Sequence, residues 1–270
     1  MKRSIYLALL LAASAILAAH DLYLMPDVFS VKPGQRLIFG IHDGDAFPQS
    51  EESPIISRLR DTKLAGVPAT NIRGQKNRAV GEVAVKTAGT LILTTATIPG
   101  FIELEASKFE TYLTLEGLDQ VLRYRREHNE TKKPGRERYS KFAKSIIQSG
   151  APDDGYRKPV GFPIEIIPER NPATVRVGDI LSVQVLRDGK PAFQLSFEAS
   201  NETETRVIGR LDSSGRISIP ITRAGRWRLH TVAMRRADQT KAIGDASPEA
   251  KAQAADWESV WASLTFEIRQ

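Results

Sequence analysis

Four histidines, His20, His42, His128 and His230, and no cysteine bound the metal chemistry open to this chain. Without thiolates, a tight site for Ni, Co, Cu or Zn must draw on imidazole nitrogen, with carboxylates or main-chain groups in support. His20 has the most to offer. It follows Ala18-Ala19 at the end of an apolar run, and a cut after Ala19 makes it the first residue. Its α-amine, with an ordinary pKa of about 7.7–8.0, then chelates one ion together with its imidazole. A cut after Ala18 leaves Ala19-His20, whose amine, amide and imidazole still chelate. Two nitrogens from one residue suit the square-planar or tetragonal geometry of Ni(II) and Cu(II).

His42 lies in Ile41-His42-Asp43-Gly44-Asp45, just past a strand-like run. Asp43 and Asp45 can ligate beside it or orient its ring, although Asp and Gly also favour a plain polar turn. His230 sits in Trp227-Arg228-Leu229-His230-Thr231. Strand alternation puts Arg228 and His230 on one face, away from the apolar Trp227 and Leu229, where His230 can close a site between domains. His128 falls in the charged run Arg125-Arg126-Glu127-His128, where it suits a helix C-terminus. His20, His42 and His230 are therefore the candidate metal ligands, with a plain polar turn at His42 and a solvated or hydrogen-bonded ring at His230 as the other readings. No Gly-x-Ser-x-Gly elbow, P-loop or His-Glu-x-x-His pattern occurs, so no catalytic residue is assigned and the chain is not read as an enzyme.

The elements that must position these residues begin with an export leader. Lys2 and Arg3 precede an apolar stretch from Ile5 to Leu17. It is shorter than the roughly 20 residues of a membrane span and is read as a signal peptide over 1–19. The mature chain is expected not to span a membrane. Export without disulfides favours the periplasm. The formal charge of +6 is diffuse and does not point to nucleic acid.

From 20 to 150 short apolar runs alternate with Gly, Pro and Asp. Val28–Val31, Arg36–Ile41, Val80–Val85 and Thr90–Ala96 read as strands. A helical excursion is expected at 109–149. Phe109, Tyr112, Leu113, Leu118, Val121 and Leu122 recur at helical spacing, and Tyr139, Phe142, Ile146 and Ile147 resume it after Pro134-Gly135. Breakers over 151–163 mark a linker. From 164 to 270, runs at Ile164–Ile167, Val175–Val177, Leu181–Leu186, Gln194–Ala199, Arg206–Gly209, Ile217–Ile221, Arg226–Met234 and Ser263–Ile268 predict a second sandwich. It carries a loop and helix insertion at 237–257. The fold class is mainly β: two immunoglobulin-like or transthyretin-like β-sandwiches with a two-helix excursion between them.

Several stretches resemble a bacterial family of exported proteins that carry a domain of unknown function, described as periplasmic components of nickel or cobalt uptake systems. They are His20-Asp21-Leu22-Tyr23-Leu24, His42 to Pro48, Phe109 to Leu122, Arg136 to Lys144, Glu165 to Pro168, Gly189-Lys190-Pro191, Gly225-Arg226-Trp227 and Asp256 to Glu267. The resemblance implies two sandwich domains and metal handling centred on the N-terminal histidine. It implies ligand roles for His20, His42 and His230, Ni or Co as the favoured ion with Cu or Zn as alternatives, and a membrane transporter as partner. Two other functions compete. One is an envelope module for adhesion or carbohydrate binding, which makes the histidines dispensable. The other is a histidine-brace copper protein, which needs two histidines on one ion.

Overall fold

The computed structural model describes residues 20–238 and 246–270. The leader at 1–19 and the middle of the expected insertion, 239–245, lie outside the described residues. Strands β1 (Leu22–Pro26), β2 (Arg36–Asp43), β3 (Leu59–Leu64), β4 (Val67–Pro68), β5 (Thr70–Gln75), β6 (Arg78–Ala84), β7 (Gly89–Thr97) and β8 (Gly100–Leu104) come first. Helices α1 (Ala106–Leu115) and α2 (Asp119–Glu127) follow. Then come β9 (Gly135–Ser149), β10 (Ile164–Pro168), β11 (Ile180–Arg187), β12 (Lys190–Pro191), β13 (Ser196–Asn201), β14 (Thr205–Arg210), β15 (Arg216–Pro220) and β16 (Gly225–Arg236). Helix α3 (Pro248–Ala252) and β17 (Trp257–Ile268) close the order.

The chain is mainly β, as its sequence predicts, with two sandwich cores. They are not separate bodies joined by a linker. One nine-stranded sheet, β14-β13-β16-β17-β9-β7-β3-β4 with β8 against β9, draws strands from both halves. A four-stranded sheet, β1-β2-β6-β5, covers part of one face, and a second, built on β11 with β10, β12 and β15, covers the other. Strand β9 shows the division. Ala143 and Ile147 pack with Tyr23, Leu24, Phe39 and Ile41 under the first small sheet. Phe142 and Ile146 alternate with them and pack with Val183, Trp227 and Leu264 under the second.

Residues 139–147 are thus a strand, not the second helix of the expected excursion. Burial on both faces removes the polar alternation that marks a half-exposed strand, and the remaining apolar spacing imitates a helix. Both lysines of this stretch are buried and paired, Lys141 Nζ with Asp43 at 2.8 Å and Lys144 Nζ with Glu165 at 3.0 Å. The helices occupy 106–127 instead. Val28–Val31 holds only an isolated bridge, Ser30 to Gln148, and Val175–Val177 forms no strand.

Helices α1 and α2 lie beside the first small sheet on the same face of the central sheet. Phe109, Tyr112, Leu113 and Val121 pack there against Val232, Met234, Trp257 and Trp261. Beneath α1 the Glu137 carboxyl is fully buried. Ser259 and Tyr112 hydroxyls donate to its Oε1, while Oε2 has no partner. Burial outweighs those two donors and pushes Glu137 up from 4.5 to about 7. A folded-state pKa above the unfolded value means that stability falls as pH rises from 4.5 to about 7, then levels off. Glu137→Gln, which keeps an acceptor oxygen, should therefore gain up to about 3 kcal/mol over wild type at pH 8 and little near pH 4.5. Urea denaturation at both pH values checks this, and an equal change at both would refute it.

Candidate metal centre

His20 stands immediately before β1, against the loop that follows β2. Backbone bonds fold that loop back on itself. Glu51 and Glu52 amides donate to the Asp43 carbonyl, and the Gly44 amide donates to the Asp21 carbonyl. The Tyr23 hydroxyl donates to the Gln49 carbonyl at 2.6 Å. Two carboxylates in the loop are fixed by one oxygen each. Asp45 Oδ1 accepts from the Asp21 amide, and Glu51 Oε1 accepts from the Asp45 and Ala46 amides. Their other oxygens face the His20 ring, with Asp45 Oδ2 at 3.5 Å and Glu51 Oε2 at 3.4 Å from Nδ1. That Nδ1 is buried and has no hydrogen-bond partner. An imidazole nitrogen thus faces two half-engaged carboxylates, donor types that divalent transition metals accept.

Among the described residues, no group of three or more His, Asp and Glu side chains already adopts the arrangement of a metal site. The Asp45 and Glu51 side chains are 57% and 40% exposed. Beside His20, a cavity of ≈ 130 Å³ is lined by Leu22, Asp43, Arg58, Tyr139 and Lys141. Burial pushes both Asp43 and Asp45 above the ordinary aspartate value.

The three histidines singled out from the sequence are not gathered on one point. The register of β1 on β2 sets His42 opposite Tyr23, and the two rings sit 5.0 Å apart. The His42 ring lies over Gly40, where a Cβ would come 2.5 Å from Nε2. His42 is 4% exposed and neither nitrogen has a partner. Burial, with the Arg78 and Arg226 charges, lowers its pKa from 6.5 to about 4, so it is a neutral packing ring. His128 stacks on Tyr124 after α2, its Nδ1 2.8 Å from the Tyr124 carbonyl.

His230 is held by carboxylates on both sides, Nδ1 to Asp21 at 2.7 Å and Nε2 to Glu116 at 3.1 Å. Burial works against its charge, but Asp21 and then Glu116 overcome it and raise the His230 pKa from 6.5 to about 10. With a carboxylate on each ring nitrogen, His230 stands as a link between Asp21 and Glu116. Arg228, one strand position pair away on the same face of β16, reaches Asp21 Oδ2 at 3.1 Å and Glu198 at 3.1 Å. It also donates to the carbonyls of Gly44 and Asp45, both at 3.2 Å. Despite burial, His230 and Arg228 hold the Asp21 carboxyl below the ordinary aspartate value.

Glu51, Asp21, Glu116 and Arg228 carry the site's geometry without having been picked out as site residues from the sequence. Arg228 alone left a signal, its alternation with Trp227 and Leu229. Glu51 and Glu116 reach the site through chain reversals that no local spacing records.

Residues 17–235 match the family described as a domain of unknown function (DUF4198), and the chain belongs to that family. No curated protein matches the sequence. Among solved structures, the D0-D1 domain of intimin is similar at 11% identity over 90% of this chain and 96% of that one, with a TM-score of 0.23. The Escherichia coli adhesin FdeC is similar at 10% identity over 79% of this chain and 59% of that one, TM-score 0.25. The Yersinia pseudotuberculosis adhesin InvE is similar at 11% identity over 91% and 58%, TM-score 0.22.

The His230 link predicts a pH effect. Its folded-state pKa is raised, so its contribution to stability is full below pH 6.5 and is lost as pH climbs through about 10. His230→Gln should be destabilised at pH 7, and its deficit relative to wild type should shrink steadily toward pH 10. Denaturation midpoints across that range check it, and parallel pH profiles for the two proteins would refute it.

Proposed function

We propose that this is an exported metal-binding protein of the periplasm that captures Ni(II) or Co(II) at His20 and passes it to a membrane transporter. The observation that carries the reading is the buried, unpartnered His20 Nδ1 between Asp45 Oδ2 and Glu51 Oε2. In a chain that begins at His20 the α-amine adds a second nitrogen from the same residue. His20, Asp45 and Glu51 then supply nitrogen and oxygen donors, which suit borderline divalent ions. The loop amides orient the two carboxylates from behind, as outer partners do in metal sites, and Arg228 holds the loop itself through the Gly44 and Asp45 carbonyls. His42 and His230 are assigned supporting roles, the first in packing and the second in charge balance. No helix among the described residues is long and apolar enough to cross a membrane.

Calorimetric titration of protein beginning at His20 with Ni(II), Co(II), Cu(II) and Zn(II) tests the reading. One site is expected, with Ni(II) or Co(II) bound far tighter than about 1 mM. His20→Ala should abolish binding, and Asp45→Asn and Glu51→Gln should each weaken it by about 10-fold. Acid should weaken it too, because the imidazole and amine must shed protons to bind. Failure of all four ions to bind more tightly than about 1 mM would end the proposal.

A further inference from the structure

A second cavity, of ≈ 220 Å³, opens on the opposite face of the central sheet and shares no lining residue with the one beside His20. Four arginines line it: Arg60, Arg138, Arg187 and Arg235. The register explains their convergence. Arg60 lies opposite Ala96, Ala96 opposite Phe142, and Arg138 lies four positions before Phe142 on β9. Arg138 and Arg235 both pair with Glu258, from strands on either side of it. Side chains directly opposite share a face, so Arg60, Arg138 and Arg235 project together. Arg187 ends β11 and meets them from the facing sheet.

Charge is not balanced within the cavity. Among the described residues Glu258 and Asp188 are its lining acids, so two positive charges remain in excess. Both Glu258 oxygens are already engaged. Oε1 accepts from Arg138 at 3.1 and 2.6 Å, and Oε2 accepts from Arg235 at 3.2 and 3.1 Å. Arg60 Nε is buried with no hydrogen-bond partner. Burial and the Arg235 charge press Arg187 below its ordinary value, against the pull of Asp188 and Glu258. Desolvating a guanidinium is costly unless an anion meets it, and its planar fork matches the oxygens of a tetrahedral oxyanion.

We propose that this cavity binds a phosphate-type oxyanion through Arg60 and Arg187, flanked by Arg138 and Arg235. The anion completes a charge array that the protein leaves two negative charges short. It is either a free ion or the phosphate of a lipid headgroup, since both present the same oxygens.

The test titrates the mature protein with inorganic phosphate, followed by phosphorus NMR. In parallel it measures co-sedimentation with phosphatidylcholine vesicles, with and without phosphatidylglycerol. Saturable phosphate binding that weakens as NaCl rises is the expected result for a free ion. Binding confined to the phosphatidylglycerol vesicles, equally salt-sensitive, assigns the headgroup. Arg60→Gln with Arg187→Gln should cost at least about 10-fold in either assay, while metal titration at His20 is unchanged. Absence of binding in both arms overturns the proposal, as does binding indifferent to the double substitution. Where the double variant does not fold, wild-type binding that ignores NaCl overturns it.

Discussion

The structure turns on the burial of Arg228. A guanidinium that is 1% exposed is tolerable only if most of its donors find acceptors, because taking a charge out of water costs several kcal/mol; both Nη groups find them, while Nε has no partner. Here the acceptors come from distant parts of the chain: Asp21 before β1, the Gly44 and Asp45 carbonyls after β2, and Glu198 and Ser200 on β13. The demand of one cation therefore fixes where the N-terminal segment meets the second half. Phe47 and Tyr23 close over it, their rings 5.8 and 5.4 Å from the guanidinium carbon. His20 owes its place to this clamp, since it precedes the residue that Arg228 and His230 hold.

Around that clamp the acids divide by what they have left to give. Asp21 is buried and spends both oxygens on cations. Asp45 and Glu51 are exposed and spend one oxygen each on backbone amides, leaving the other toward His20. The first arrangement holds a fold together. The second holds a carboxylate still while leaving it able to bind. Exposed pairs of this kind add little to stability, and it is the loop amides that set where these two carboxylates stand.

Composition and alternation made much of this legible. Apolar strands such as β2, β7, β11 and β16 stand out, and the polar β3 and β5 do not, because β5 is a sheet edge and β3 is flanked on its outer side only by the two-residue β4, positions that need no apolar signature. Strand β9 imitates a helix for a physical reason: it is covered on both faces, and its lysines are buried beside partners 98 and 21 residues away. His20 and Asp45 were visible as chemistry from their types alone. That His42 would be a neutral ring over Gly40, and His230 a cation between two acids, depended on neighbours that only the folded chain brings together.

The parallel pairing of β9 with β17 reaches beyond geometry. It joins Glu137–Ser145 to Trp257–Thr265, stretches about 120 positions apart, and it forms the middle of the shared sheet. Both sandwich cores draw on this sheet, so neither can be finished while β17 is missing. Contacts at such separation form slowly. A ribosome must release β17 before this central ladder can close, so one side of β9 waits unpaired while the intervening residues are made.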